Sequence, residues 1–223
     1  MKKIDFYIAK SIDLLQEAAD LIQLEYEKDN YVSSLPSGMK APISSYNKAD
    51  SSTTFVAKCE NIVIGTVTLV GDSEKGFPLD SIFRQEADSL RVPGNSIAEI
   101  SQLAVRRDAA EILEIGKREV QAILLQLFSL VYYCAVAKNI NILCITINPK
   151  HDVFYLGIGF APMGEVKYYD TVNGAPALLR VLYLDTINDE SNLIMRQIRS
   201  KSLDLSLFDV KQDSLLFSRE IIQ

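Results

Sequence analysis

A chain of 223 residues, 48% hydrophobic and 23% charged, has the size and balance of one elaborated soluble domain that buries a core without disulfides or metals. Its 23 basic against 29 acidic side chains leave a net charge of −6, which argues against a broad nucleic-acid-binding surface. Asp5, Lys10 and Asp13 interrupt the first fifteen residues and no uncharged apolar run is long enough to span a membrane, so neither a signal peptide nor a membrane span is expected.

In chain order, residues 4–9 (IDFYIA) alternate like a strand, and a helix follows over about 11–28. Ser11 is placed to cap it, with Ile12, Leu15, Ala18, Ala19, Ile22 and Tyr26 on one face. Residues 29–50 hold Pro36, Gly38, Pro42 and several serines and read as a long loop of the kind that often serves function. TTFVAKC (53–59) and IVIGTVTLV (62–70) flank Glu60-Asn61 as a hairpin. The stretch 71–96, punctuated by Phe77-Pro78 and Pro93-Gly94, reads as a connection, and IAEISQLAV (97–105) as the next strand.

Val120, Leu124, Leu127, Val131 and Ala135 recur at helical spacing over about 117–138. That stripe, with Phe128 and Tyr132, is expected to be core. NILCITIN (141–148) is an apolar strand stopped by Pro149, and Asp152–Leu156 a short helix closed by the glycines at 157 and 159. Strands return at about 162–169 and 177–184. The segment 186–223 is a C-terminal extension with a helix near 190–200, so the fold domain is 1–185. Cys59, Cys134 and Cys144 lie in apolar segments without metal-ligand spacing. They read as small buried hydrophobes in a reducing, cytoplasmic compartment, with no metal site. The order β, α, β-hairpin, β, α, β, α, β, β predicts an α/β (α+β) protein, a mixed sheet flanked by helices.

Two stretches carry chemistry. In NPKHDVFYLGIGF (148–160), Asn148, Tyr155, Gly159 and Phe160 fall where acyltransferases of the GNAT fold carry an Asn after the fifth strand and a Tyr four residues before a Gly-Phe pair. The second is FPLDSIFRQEADSLR (77–91) with AEISQLAV (98–105) and VNGAP (172–176). Together these stretches resemble the bacterial long-chain N-acyl amino acid synthases (FeeM type), relatives of acyl-homoserine lactone synthases, over about residues 77–184.

The resemblance implies an enzyme that moves a fatty acyl group from a thioester on acyl carrier protein to the amine of an amino acid or related small molecule, with no tightly bound cofactor. The cosubstrate would be an acyl-phosphopantetheine thioester, on carrier protein or on coenzyme A. Glu99 is the candidate base for the ammonium and Tyr155 the candidate hydroxyl donor to the leaving thiolate. The bland readings are a strand-end Glu paired with an arginine and a half-buried aromatic. Ser101, Leu103, Ala104 and Val105 would line the thioester arm. Asn148, His151, Asn173 and Gly174 would stand on the substrate side, although a helix-end histidine held by local bonds is equally natural.

One departure bears on the donor. After Val105 the chain runs RRDAAEILEIGKRE with Gly116 as its only glycine, where GNAT enzymes carry a glycine-rich cradle for the coenzyme A pyrophosphate. A carrier protein presents a single phosphodiester, which Arg106, Arg107, Lys117 and Arg118 would meet. Otherwise they are solvated charges. Two alternatives stand beside this reading: a coenzyme A-dependent N-acetyltransferase, and a silent GNAT-like domain that binds an acyl carrier or lipid.

Overall fold

The computed structural model describes residues 2–187 and 192–200. The last part of the expected extension, 201–223, and the first residues of its expected helix lie outside them. A seven-stranded sheet runs β1 (Ile4–Ile8), β2 (Ser52–Cys59), β3 (Ile62–Gly71), β4 (Ile97–Val105), β5 (Ile142–Ile147), β7 (Ala175–Tyr183) and β6 (Ala161–Tyr169) from edge to edge. Neighbours are antiparallel except β4 and β5. The hairpin at Glu60-Asn61 closes with both residues at positive φ (55° and 107°), as a two-residue turn matching strand twist requires.

Helices cover both faces. α1 (Ile12–Lys28) and α2 (Asp80–Leu90) lie on one; α4 (Lys117–Ala137), α5 (Asp152–Ile158) and α6 (Leu193–Ser200) lie on the other, and α3 (Ala109–Leu113) is a short insert after β4. β3 shows why, because its side chains alternate: Val67 and Leu69 enter the α4 core and Val70 the α2 core. Gly65 lets α4 come close, since a Cβ there would sit 3.0 Å from Ile123 and 3.1 Å from Leu127. α4 has the length and mean hydropathy of a membrane span, yet 56% of that stretch is buried within the fold. The three cysteines are free and buried.

Two helices stand where none was expected. α2 occupies the supposed connection 71–96 because Leu79, Phe83, Ala87 and Leu90, buried in one cluster, repeat at helical spacing between the prolines at 78 and 93. α3 buries Ala109 and Leu113, a stripe too short to register as periodicity. α5 runs two residues past Leu156, with Gly157 inside it and Gly159 (φ 111°) as its left-handed cap.

The long segment after α1 forms no helix or strand before β2 but is tied down throughout. Gln16, Asp20, Gln23 and Glu27 form one polar stripe along α1. Gln16 donates to Ala41 O (2.7 Å), Asp20 accepts from Ala41 N (2.9 Å), Gln23 donates to Ser33 O (2.9 Å) and Glu27 accepts from Leu35 N (3.3 Å). Farther on, Asn47 donates to Thr54 Oγ1 (3.0 Å) and Thr68 Oγ1 (2.9 Å) on the sheet.

Candidate active site

Glu99 lies in the middle of the sheet, opposite Val70 on β3 and Cys144 on β5, and is 3% exposed. Its Oε2 accepts from the Leu79 backbone N–H at 2.9 Å. Among the described residues no cation pairs with it. Arg91, at the C-terminal end of α2, is committed to Asp72, Asp80 and Asp88. Burial therefore dominates and lifts the Glu99 carboxyl to about 8, with the Leu79 N–H opposing and the charge of Asp80 adding to the rise. A carboxyl that titrates near neutrality suits proton transfer from an ammonium.

The β4–β5 pairing begins at Ile97/Ile142 and ends at Ile100/Ile145, although both strands continue. Beyond that point β4 pairs only with β3 and the sheet is split. Ser101, Leu103, Ala104 and Val105 therefore stand along the open edge. Ser101 lies on the same face as Glu99. A bulge follows: Gln102 takes φ 55°, and two residues oppose Val67 between the pairs Thr68/Ser101 and Thr66/Ala104. Gln102 was not expected; only glycine, asparagine or aspartate would have flagged a left-handed position.

Tyr155 is buried on α5, packed edge-on against Phe128, Phe154 and Phe160. Burial pushes its phenol well above the usual range, with Tyr26 adding to the rise. Among the described residues no hydrogen bond holds its hydroxyl. Asn148 serves the helix start, its Oδ1 accepting from Lys150 N at 3.0 Å. His151 follows; partial desolvation first, then Lys150, lower its pKa, so it is neutral at pH 7. Asp152 fixes α5 to the sheet through two bonds to Arg180, 2.7 and 2.8 Å. Because Arg180 is 5% exposed, Asp152→Ala should cost on the order of 3 kcal/mol in chemical unfolding by leaving that cation unpaired.

The four cations expected at the donor mouth divide. Arg106 pairs with Asp108 (2.9 Å), and Arg107 with Glu25 (2.7 Å) and Asp29 (3.0 Å). Lys117 and Arg118 are exposed on the first turn of α4, with no ion-pair partner among the described residues. A Cβ on Gly116 would lie 2.7 Å from Glu119 Oε2, so a carboxylate already covers the helix N-terminus where an anion would be drawn. Asn173 (φ 54°) and Gly174 (φ 67°) make the turn between β6 and β7, where Asn173 donates to Asn30 O at 2.9 Å.

Sequence reading also missed Tyr26 and Tyr169. Tyr26 was counted only as packing. Burial pushes its phenol up to about 12, with Tyr31, Glu99 and Tyr169 contributing, and Tyr155 in turn feels Tyr26. Its phenol therefore stands in electrostatic reach of both the candidate base and the candidate hydroxyl donor.

The sequence pattern of a family described as N-acyl amino acid synthase FeeM matches residues 17–182. The solved structure of FeeM, an N-acyl amino acid synthase from uncultured soil microbes, is 26% identical with a TM-score of 0.72, covering 93% of this chain and 100% of that one. BjaI, a coenzyme A-dependent acyl-homoserine lactone synthase, matches at 16% identity and TM-score 0.65 over 97% of this chain and 100% of its own. The AHL synthase LasI matches at 15% and 0.59 over 81% and 90%. These last two share the fold. No curated protein sequence matches this chain closely enough to be counted as a relative.

Proposed function

The chain belongs to the FeeM family of N-acyl amino acid synthases, an acyltransferase family, and on that premise we propose that it joins a fatty acyl group from acyl carrier protein to the amine of an amino acid. What carries this reading is the placement of a buried, cation-free carboxyl, Glu99, immediately before the point where β4 and β5 part. The thioester arm lies along the open edge of β4 from Ser101 to Val105, as a short strand would. Glu99, ionised, takes a proton from the acceptor ammonium. The neutral amine adds to the thioester carbonyl, and the C–S bond breaks as the amide forms. A thiolate, whose conjugate acid titrates near 8.5, is too weak a base to deprotonate a phenol raised above 10. Tyr155 therefore donates a hydrogen bond to the departing sulfur, and the thiol gains its proton from the acceptor nitrogen by way of solvent.

The donor assignment rests on the α4 N-terminus. A diphosphate there would meet Glu119, and the segment 106–116 buries Ala109, Leu113 and Ile115 where a cradle would need glycines. Lys117 and Arg118 remain for a single phosphodiester or an acidic carrier surface. Acyl-carrier-protein thioesters should exceed acyl-coenzyme A of equal chain length by at least roughly tenfold in kcat/KM, the effect of ~1.4 kcal/mol. That advantage should shrink with salt, since exposed charges are screened beyond about 10 Å at 0.1 M. Equal use of both donors would overturn the carrier assignment and leave acyl transfer intact. Mass spectrometry of products from a panel of amino acids identifies the acceptor.

A further inference from the structure

The peptide unit between Pro78 and Leu79 stands between two side chains that the sequence keeps seventy residues apart. Its N–H, on Leu79, donates to Glu99 Oε2 at 2.9 Å. Its carbonyl, on Pro78, accepts from the Tyr169 hydroxyl at 2.7 Å. Ser81 Oγ stands 2.9 Å from both Tyr169 Oη and the same Pro78 carbonyl, and its single proton goes to one or the other. The segment is held from its other side: Phe77 N donates to Asp80 Oδ2 (2.8 Å), Asp80 accepts twice from Arg91, and the Arg91 guanidinium lies 4.8 Å over the Phe77 ring.

We propose that Tyr169 is a positioning residue for Glu99, acting through the Pro78–Leu79 peptide, to which it and the carboxylate bind at opposite ends. The inference rests on Glu99 being the base of the reaction. A hydrogen bond to an amide oxygen shifts electron density away from the nitrogen, so its N–H becomes a stronger donor. Tyr169 thus strengthens the hydrogen bond from Leu79 N–H to the Glu99 carboxylate, and Ser81 either polarises that phenol or donates to the same Pro78 carbonyl beside it. Tyr169 closes β6 immediately before the turn that holds Asn173. The hairpin expected on the acceptor side is thereby linked to the carboxylate that would deprotonate the acceptor.

The groups facing Glu99 are Asp80 from α2, Tyr26 from α1, Tyr46 from the segment before β2, Tyr169 from β6 and Cys144 from β5. Of these, Asp80 is the other carboxyl group, and neither variant below alters it. The Leu79 bond favours the carboxylate, so weakening it should move the Glu99 titration upward.

The test is a titration of the Glu99 side-chain carboxyl by carbon-13 NMR, with the signal assigned by its loss in Glu99→Gln. Tyr169→Phe combined with Ser81→Ala keeps the ring and removes the Ser81 hydroxyl that would take the phenol's place on Pro78 O. The double variant should raise the midpoint by about half a pH unit, and Ser81→Ala alone, at an exposed position, should raise it by less. The acidic limb of kcat/KM should move upward by the same amount, with the alkaline plateau retained. A midpoint in the double variant that is no higher than that of Ser81→Ala alone overturns the proposal, even if the variant is slow, because packing alone would lower the rate at every pH. A midpoint that rises while Glu99→Gln keeps full activity upholds the linkage and instead refutes Glu99 as the base.

Discussion

Glu99→Gln is expected to lower kcat by roughly a hundredfold or more, the usual loss when a general base is removed. Glutamine keeps the shape and can still accept from Leu79 N–H, so KM for the thioester should change little. In the wild type, kcat/KM should rise with pH toward a plateau above about 8, where Glu99 ionises. The variant's deficit should narrow at high pH as the acceptor amine loses its proton unaided. Stability should move the opposite way. The folded carboxyl binds its proton more tightly than an unfolded glutamate, so its contribution is full below the unfolded value near 4.5 and is lost as pH rises to about 8. Glu99→Gln should therefore melt at or above the wild type at pH 9. A rate unchanged at neutral pH, with chemistry limiting, would make Glu99 a structural residue.

Tyr155→Phe should lower kcat by on the order of tenfold to a hundredfold, the value of a hydrogen bond to a developing charge. Thioester binding should be nearly unchanged, because the interaction strengthens only as the sulfur becomes anionic. The ring still fills the space against Phe128, Phe154 and Phe160, so the melting temperature should stay near that of the wild type. Donors with a more acidic thiol should suffer less. Single-turnover kinetics with a paired set of thioesters reads this directly; an unchanged kcat would leave Tyr155 as packing. Wild-type protein that binds acyl carrier and turns over no amine would identify a silent domain instead.

Most strands and the helices α1, α4 and α5 were legible in the sequence because each carries its own periodicity or cap, as when Ser11 accepts from Leu14 N at 3.2 Å. α2 was not, because Phe77-Pro78 and Pro93-Gly94 read as a loop and the buried stripe between them is only four residues. Glu99 and Tyr155 could be picked out by residue type and by resemblance. Their surroundings could not. That the Leu79 amide meets Glu99, or that Glu25 and Asp29 occupy Arg107, depends on pairs 20, 82 and 78 residues apart. Local pattern gives no sign of them. The same holds for Tyr169, whose phenol is exposed or engaged according to where α2 lies.

The polar stripe of α1 has a consequence for affinity. Immobilising backbone costs about 1–2 kcal/mol per residue, so ordering even five residues of the segment before β2 upon binding would exceed the ~4 kcal/mol that a millimolar ligand gains. Gln16, Asp20, Gln23 and Glu27 hold that segment from one side and the Asn47 contacts with Thr54 and Thr68 from the other, so its entropy is surrendered when the chain folds. Tyr46, one residue before Asn47 and within the field of Glu99, stands on a preformed wall. An acceptor bound beside Tyr46 would therefore not have to order this segment.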